Sequence, residues 1–248
     1  MRCSIRSLCV LCLISFSIDS SAQNFVGDRG ASCATIPAAG GNHVIALTGA
    51  VPVGSAVVIA AGTSANATFQ SATDNRGNTY TPTSSQFHIV QGFRAFTLIA
   101  EIGTALQAGD VITIAYSGAA IGGESSCAST AQFNAIAFPD PTEVALGNAS
   151  NTPISTHTIS TGATTIPALL IHTSFVFNAA TGGGGVNPGT PMQLVCSAGN
   201  AFCVMPAYRI VSSTGTYALT ANTVNSVHSA TALAAYRGSA LLFKSGFE

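Results

Sequence analysis

Ser71–Pro82 reads S-A-T-D-N-R-G-N-T-Y-T-P. It predicts a strand ending at Thr73, a tight polar turn, and a second strand starting at Thr79. The turn Asp74-Asn75-Arg76-Gly77-Asn78 places Asp, Asn and Gly where a hairpin needs them. Gly77 takes a positive φ at little steric cost, and Asn75 or Asn78 tolerates it. Loops of this length with glycine in the left-handed region commonly close a hairpin with a bulge. The flanking Phe69, Thr73, Thr79, Tyr80 and Thr81 are β-branched or aromatic, as strands prefer. A calcium loop is the rival reading of the same stretch. Calcium wants several oxygen ligands and usually more than one carboxylate; Asp74 is the only one here.

The rest of the chain repeats the pattern of short strands joined by Gly, Pro, Asn and Asp. His43–Thr48, Ala56–Ala61 and Phe93–Ala100 are apolar runs bounded by turn residues. Asp110–Ser117 alternates, with Val111, Thr113 and Ala115 on one face and Ile112, Ile114 and Tyr116 on the other. Gly118–Ser129 reads as a loop carrying Cys127, and Thr130–Phe138 as the next strand. Pro139 and Pro141 exclude a central strand and mark a crossover, or a domain sub-boundary near 139–142. Beyond them come strands at Ile154–Ser160, Pro167–Phe177, Met192–Cys196 and Val204–Ser212. Gly215–Asn222 and Ser229–Arg237 read as a final antiparallel pair, and Ala240–Lys244 as a closing strand. No segment shows a capped 3.6-residue period. The expectation is an all-β chain of roughly a dozen strands, an antiparallel two-sheet β-sandwich of jelly-roll or immunoglobulin-like type. One domain over residues 42–244 is favoured, because each half alone has few large side chains.

Hydrophobic residues make up 47% of the 248 positions and charged residues 7%, against a usual charged share of about 25%. The surface must then be Ser, Thr, Asn and Gly. Net charge is −1 and the chain has one lysine. Arg76, Arg94, Arg209 and Arg237 form no patch, which argues against nucleic acid as a partner. Residues 1–22 read as a signal peptide: Arg2 and Arg6, then an apolar Leu8–Phe16, then Ser20-Ser21-Ala22 for cleavage before Gln23. The mature chain is expected to be secreted: extracellular, periplasmic or at the cell surface, without a transmembrane segment. Residues 23–41 form a Gly/Ala-rich lead-in and residues 245–248 a tail.

Four cysteines remain after cleavage: Cys33, Cys127, Cys196 and Cys203. An even number in an exported chain predicts disulfides. Ser197-Ala198-Gly199-Asn200 supplies a turn between Cys196 and Cys203, which favours that bridge; Cys33–Cys127 follows by elimination. A zinc site is the rival, but the mature chain has no C-x-x-C and no histidine near these cysteines.

At D-N-R-G-N-T-Y-T the chain resembles a kind of secreted bacterial β-sandwich module. Further motifs fit the same layout: Val51–Ser55 (V-P-V-G-S), Ala105–Ile114 (A-L-Q-A-G-D-V-I-T-I), Ala207–Val211 with Thr214–Tyr217, and Ala232–Arg237. The resemblance covers about His43–Arg237 and implies an extracellular or surface setting. Its motifs specify fold and not chemistry. The end Leu242–Glu248 is similar to F-x-x-G-F-E tails on exported proteins of some gammaproteobacteria.

The sequence offers no catalytic signature, metal motif or cofactor motif. His43, His88, His157, His172 and His228 are far apart. His172, inside an apolar strand, reads as a hydrogen-bonded, half-buried residue. There is no G-x-S-x-G elbow, and Gly122–Ser126 reads as a solvated loop. Asp74, Asp110 and Asp140 sit in turns, so a glycosidase pair with Glu101, Glu124 or Glu143 is not indicated. Gly182–Gly185 lacks the context of a phosphate loop. Two readings follow. The first is an exported structural or binding module, adhesin-like or associated with glycan or envelope, with Tyr80, Tyr116, Tyr208 and Tyr217 as aromatic contacts. The second is a secreted hydrolase whose site assembles only in three dimensions.

Overall fold

The computed structural model describes residues 23–239 except 38, 65–66, 90, 119–123, 139–140, 163, 165–167, 178–185 and 199–200. The expected leader 1–22, Gly182–Gly185, the closing strand Ala240–Lys244 and the tail 245–248 lie outside the described residues. Fifteen strands build the described fold, which contains no α-helix.

The first eight strands are β1 (Asn24–Ile36), β2 (Gly40–Ala46), β3 (Ala56–Thr63), β4 (Thr68–Asp74), β5 (Thr81–His88), β6 (Phe93–Glu101), β7 (Val111–Ser117) and β8 (Glu124–Asn134). They form two antiparallel sheets in the orders β1-β8-β3-β6-β5 and β2-β7-β4. Strands one, eight, three and six facing strands two, seven and four is the interleaving of two Greek keys, a jelly roll. The turn forms as its sequence predicts, with Gly77 at φ 89°, but the expected hairpin is corrected: beyond a single bridge between Thr73 and Thr79, β4 and β5 lie in different sheets, and β5 begins at Thr81. Tyr80 N donates to Ala72 O at 2.9 Å, so the chain leaves the turn beside β4. It then crosses to pair with β6.

The second half comprises β9 (Thr142–Ser160), β10 (Ala168–Phe177), β11 (Val186–Asn187), β12 (Thr190–Pro191), β13 (Val195–Cys196), β14 (Phe202–Val211) and β15 (Ala218–Arg237). They form one sheet centred on β10, with β15 and β14 beside it, β9 outside β15, and β12 and β13 on β14. This sheet lies on the outer face of the β1-β8-β3-β6-β5 sheet. Ala56, Val58 and Ile99 of the jelly roll share an apolar cluster with Leu169, Ile171, Ala234 and Tyr236. The other face of the same sheet, with Val57, Ile59, Phe96 and Leu98, packs on Ile45, Ile112, Ile114 and Tyr116. β3 is therefore buried at every position. A strand covered on both faces has no polar side to show, which is why Ala56–Ala61 reads as a continuous apolar run. β7, covered on one face, keeps its alternation.

Three further sequence expectations are corrected. Gln23–Gly41 is largely β1, which pairs along β8 and carries bulges between Phe25 and Gly27 and between Asp28 and Gly30. Cys127 lies in strand β8 rather than in a loop, and that strand ends at Asn134, before Ala135 at φ 58°. Gly215–Asn222 and Ser229–Arg237 are not a pair. From Ala218 onward they are one strand, β15, running antiparallel along β9. That ribbon bends where its pairing is irregular, between Asn222 and Ser229. His157 pairs with Ala221, yet its Nδ1 lies 2.6 Å from Ser229 Oγ. Eight residues of straight strand would separate those positions by about 26 Å. The ribbon must therefore fold over, and it brings Ile159, Leu219 and Ala221 against Leu170, Leu233 and Ala235.

Candidate functional site

Cys33 is bonded to Cys127 and Cys196 to Cys203. Each pair sits directly opposite in an antiparallel register, on β1 and β8 and on β13 and β14. Val195 and Phe202 of the second half pack against the cluster that holds Cys127.

Of the turn carboxylates, Asp140 lies outside the described residues, and Asp74 and Asp110 are fully engaged. Asp74, 7% exposed, accepts from Arg76 N at 2.9 Å and Asn78 N at 3.0 Å. It also accepts from Asn78 Nδ2 at 2.9 Å and Tyr80 OH at 3.0 Å. Asp110 accepts from Arg76 Nε, Asn75 Nδ2 and Gln107 N at 2.7–2.9 Å. The Arg76 guanidinium and those donors hold its carboxyl down at about 2. Asp110 ties the Asp74–Asn78 turn to the neighbouring Gln107–Asp110 turn, while Asp74 closes its own turn on itself. Asp74 acts as a structural acceptor for donors that burial would otherwise leave unpaired.

The fold does create a serine–histidine contact that the sequence gives no reason to expect. His43 Nε2 lies 2.8 Å from Ser32 Oγ and its Nδ1 2.9 Å from Ser126 Oγ. Tyr116 OH meets the same Ser126 oxygen at 2.9 Å. A hydrolytic triad places a carboxylate on Nδ1 to orient the ring and support its positive charge. Here a neutral hydroxyl takes that place, and burial pushes the imidazole down to about 4. Such a ring is a weak base, and the arrangement is a hydrogen-bond chain through the jelly-roll interior.

Of the tyrosines expected as surface contacts, Tyr80 and Tyr116 are core residues, 1% and 4% exposed. Tyr208 stacks on Phe25, and Tyr217 lies under the Arg209 guanidinium. His88 and His228 meet edge to face at 5.2 Å, with His88 Nε2 at 2.6 Å from the Ser150 carbonyl.

An open concavity lies where the two halves meet. β5 is the edge of its sheet and β9 the edge of the other. Between them runs a groove of about 450 Å³ lined by Gln86, Phe87, Ile89, Gly147, Asn148 and Ala149. A hollow of about 190 Å³, walled by Pro82, Thr83, Ile99, Phe138 and Pro141, lies along the same two strands. From Thr81 to Ile89 the seam follows about 26 Å of strand. β9 comes so close that a side chain at position 147 would strike Gln86 and the Ser85 carbonyl. Gln86 Nε2 donates to Phe87 O at 2.9 Å and Asn148 Nδ2 to Thr158 O at 3.1 Å. These bonds hold each amide by its nitrogen. The Arg94 guanidinium caps the Phe87 ring at 5.4 Å. The groove thus presents amides, an aromatic ring and the exposed Ile89, and no carboxylate lines it.

Among the described residues no helix is long and apolar enough to cross a membrane. The chain matches no protein-family model, no curated protein and no solved structure.

Proposed function

We propose that the protein is an exported binding module that holds an uncharged polysaccharide chain of the cell envelope in the β5–β9 seam. The carrying observation is the lining of that seam. Planar amides at Gln86 and Asn148 beside the Phe87 ring suit hydroxyl groups and the apolar faces of sugars. The sparse charge of the chain offers little long-range attraction for an ionic partner. Residues 1–22 would direct export, and the two disulfides fit an oxidising compartment. The adhesin-like reading is the same site with the polysaccharide on another cell.

The test is retention of the protein from Gln23 onward on insoluble polysaccharides and on cell envelopes, at low and high salt. Salt-resistant retention that Asn148→Ala and Phe87→Ala both weaken is the expected result. No retention on any surface overturns glycan binding. Retention that neither substitution changes moves the site away from the seam.

A further inference from the structure

The smaller hollow of the seam is a pit with one oriented polar group in its wall. Pro82, Ile99, Phe138 and Pro141 make its apolar sides, and Thr83 lines it between them. These walls are fixed from behind. Phe138 packs on the cluster that holds Ile99 and Tyr236, and Arg237 N donates to the Pro141 carbonyl at 2.7 Å.

Thr83 reaches the hollow because β5 bulges there. Pro82 lies opposite Leu98 and Ser84 opposite Thr97, which leaves Thr83 with no residue across from it. A bulge of this kind re-aims a side chain, and bulges gather next to binding sites for that reason. The Thr83 hydroxyl donates to the Thr97 carbonyl at 3.2 Å. Its oxygen also lies 2.6 Å from Tyr236 OH. A hydroxyl has one hydrogen and two lone pairs. With the Thr83 hydrogen given to Thr97, Tyr236 must donate to Thr83. One lone pair of Thr83 Oγ1 then remains. Thr97 and Tyr236 are both wholly buried, so the inner side of the oxygen is occupied and the remaining lone pair is left to the hollow. The pit therefore asks for a hydrogen-bond donor.

Its size and walls narrow the donor further. The hollow holds about 190 Å³; a dry cavity of about 150 Å³ takes one benzene. It accepts a substituent of a polysaccharide and not a length of the chain. No charged side chain is among the lining residues, so an ammonium group would enter uncompensated. A hydroxymethyl group donates but leaves the apolar walls unfilled. An O-acetyl or O-methyl group fills them but has no hydrogen to give. An acetamido group has both parts: a methyl for the proline, isoleucine and phenylalanine walls, and an N–H for Thr83 Oγ1. Thr81, exposed at the rim, and Thr142 on β9 supply hydroxyls for its carbonyl oxygen.

We propose that the hollow is an acetamido pocket, so that the polysaccharide held in the seam is an N-acetylated one. The inference rests on the seam as the binding site and names the class of chain that it takes. Thr83 lies four residues from Phe87, about 13 Å along the strand. The sugar whose acetamido group enters the hollow is thus neighbour to the one that meets the aromatic ring.

The experiment compares retention of the protein from Gln23 onward on chitin and on cellulose. The two share a backbone linkage and differ in carrying an acetamido or a hydroxyl group at one ring position. Chitin should retain the protein about tenfold more tightly, the worth of one well-made hydrogen bond. Soluble N-acetylglucosamine oligomers should release it, and glucose oligomers of equal length should not. Thr83→Val keeps the shape of the wall and removes the acceptor; it should reduce retention on chitin to the cellulose level. Equal retention of the unmodified chain on the two solids overturns the acetamido pocket and leaves the seam standing. Retention on neither overturns both. Undiminished preference for chitin in Thr83→Val overturns the part given to Thr83. Should that variant fail to fold, the oligomers decide: equal release by both kinds overturns the proposal.

Discussion

Gly62 sits on β3 where the jelly roll meets the second sheet, and Phe175 of β10 lies directly on it. A Cβ at position 62 would overlap Cγ and Cδ2 of the Phe175 ring and approach its Cβ to 2.7 Å. Turning the ring relieves the first two contacts but not the third, because β10 fixes Phe175 Cβ. The ring has little room to turn in any case. It stacks on Phe202 at 5.4 Å and meets Phe93 edge to face at 5.8 Å. Overpacking of this kind costs about 1–3 kcal/mol, and the contact with the fixed Phe175 Cβ puts Gly62→Ala near the upper end. Phe175→Ala by itself should cost about 3–5 kcal/mol through the cavity it leaves. In the double variant the new methyl occupies part of that cavity. The combined loss should therefore fall short of the sum by about 1–3 kcal/mol. Urea unfolding followed by far-UV circular dichroism measures all four corners of the cycle; the chain has no tryptophan for fluorescence. The wild-type transition should be single, because Thr97 Oγ1 and Thr173 Oγ1 meet at 3.1 Å across the same boundary as the shared apolar clusters. Additivity within about 0.5 kcal/mol would refute the packing argument, since residues that do not touch behave that way.

Asp74→Ala should cost about 3 kcal/mol in the same urea assay, because Asn78 N and the Tyr80 hydroxyl lose their buried acceptor; a loss under 1 kcal/mol would show that water replaces it. Removing Cys33–Cys127 by paired substitution with alanine should cost about 4–5 kcal/mol, since the bridge spans 94 residues of sequence, and removing Cys196–Cys203 about half as much. Equal losses would contradict the loop-entropy account. Burial lowers His43 from 6.5 to about 4 and His172 from 6.5 to about 3. Above pH 6.5 both are neutral, folded or unfolded, and stability is at its full value. As pH falls below 6.5 the unfolded chain takes up protons that the folded chain refuses. Stability should then drop by about 1.4 kcal/mol per pH unit per histidine, down to each folded value. The slope between pH 6 and 4.5 should be shallower by one proton in His43→Asn; an unchanged slope would mean His43 is protonated in the folded protein.

The fold was legible where one face of a strand is wet and the other dry. Ile112, Ile114 and Tyr116 alternate with half-buried neighbours because β7 has one covered face, and the Asp74–Asn78 turn carries its own chemistry. β1 and the first part of β8, up to Ser129, were not legible as strands because they contribute Ser, Ala, Gly and Cys at positions with little room. The bulges near Gly27 and Gly30 also break the two-residue period. The sequence reads the two sides of the β15 bend as separate paired strands, Gly215–Asn222 and Ser229–Arg237, yet each side pairs with β9 instead. The candidate sites were illegible for a different reason. Gln86 lies against Gly147, and His157 reaches Ser229, only because two edge strands converge and one ribbon folds over. No local spacing encodes either event. The residues involved are also the ones this chain uses for its whole polar surface. With 7% charged residues, Ser, Thr, Asn and Gln must supply the solvation and, on the function proposed above, the recognition too. Their presence at a given position therefore says nothing about which task they serve until the geometry leaves an amide oxygen in a groove or a threonine hydroxyl in a hollow.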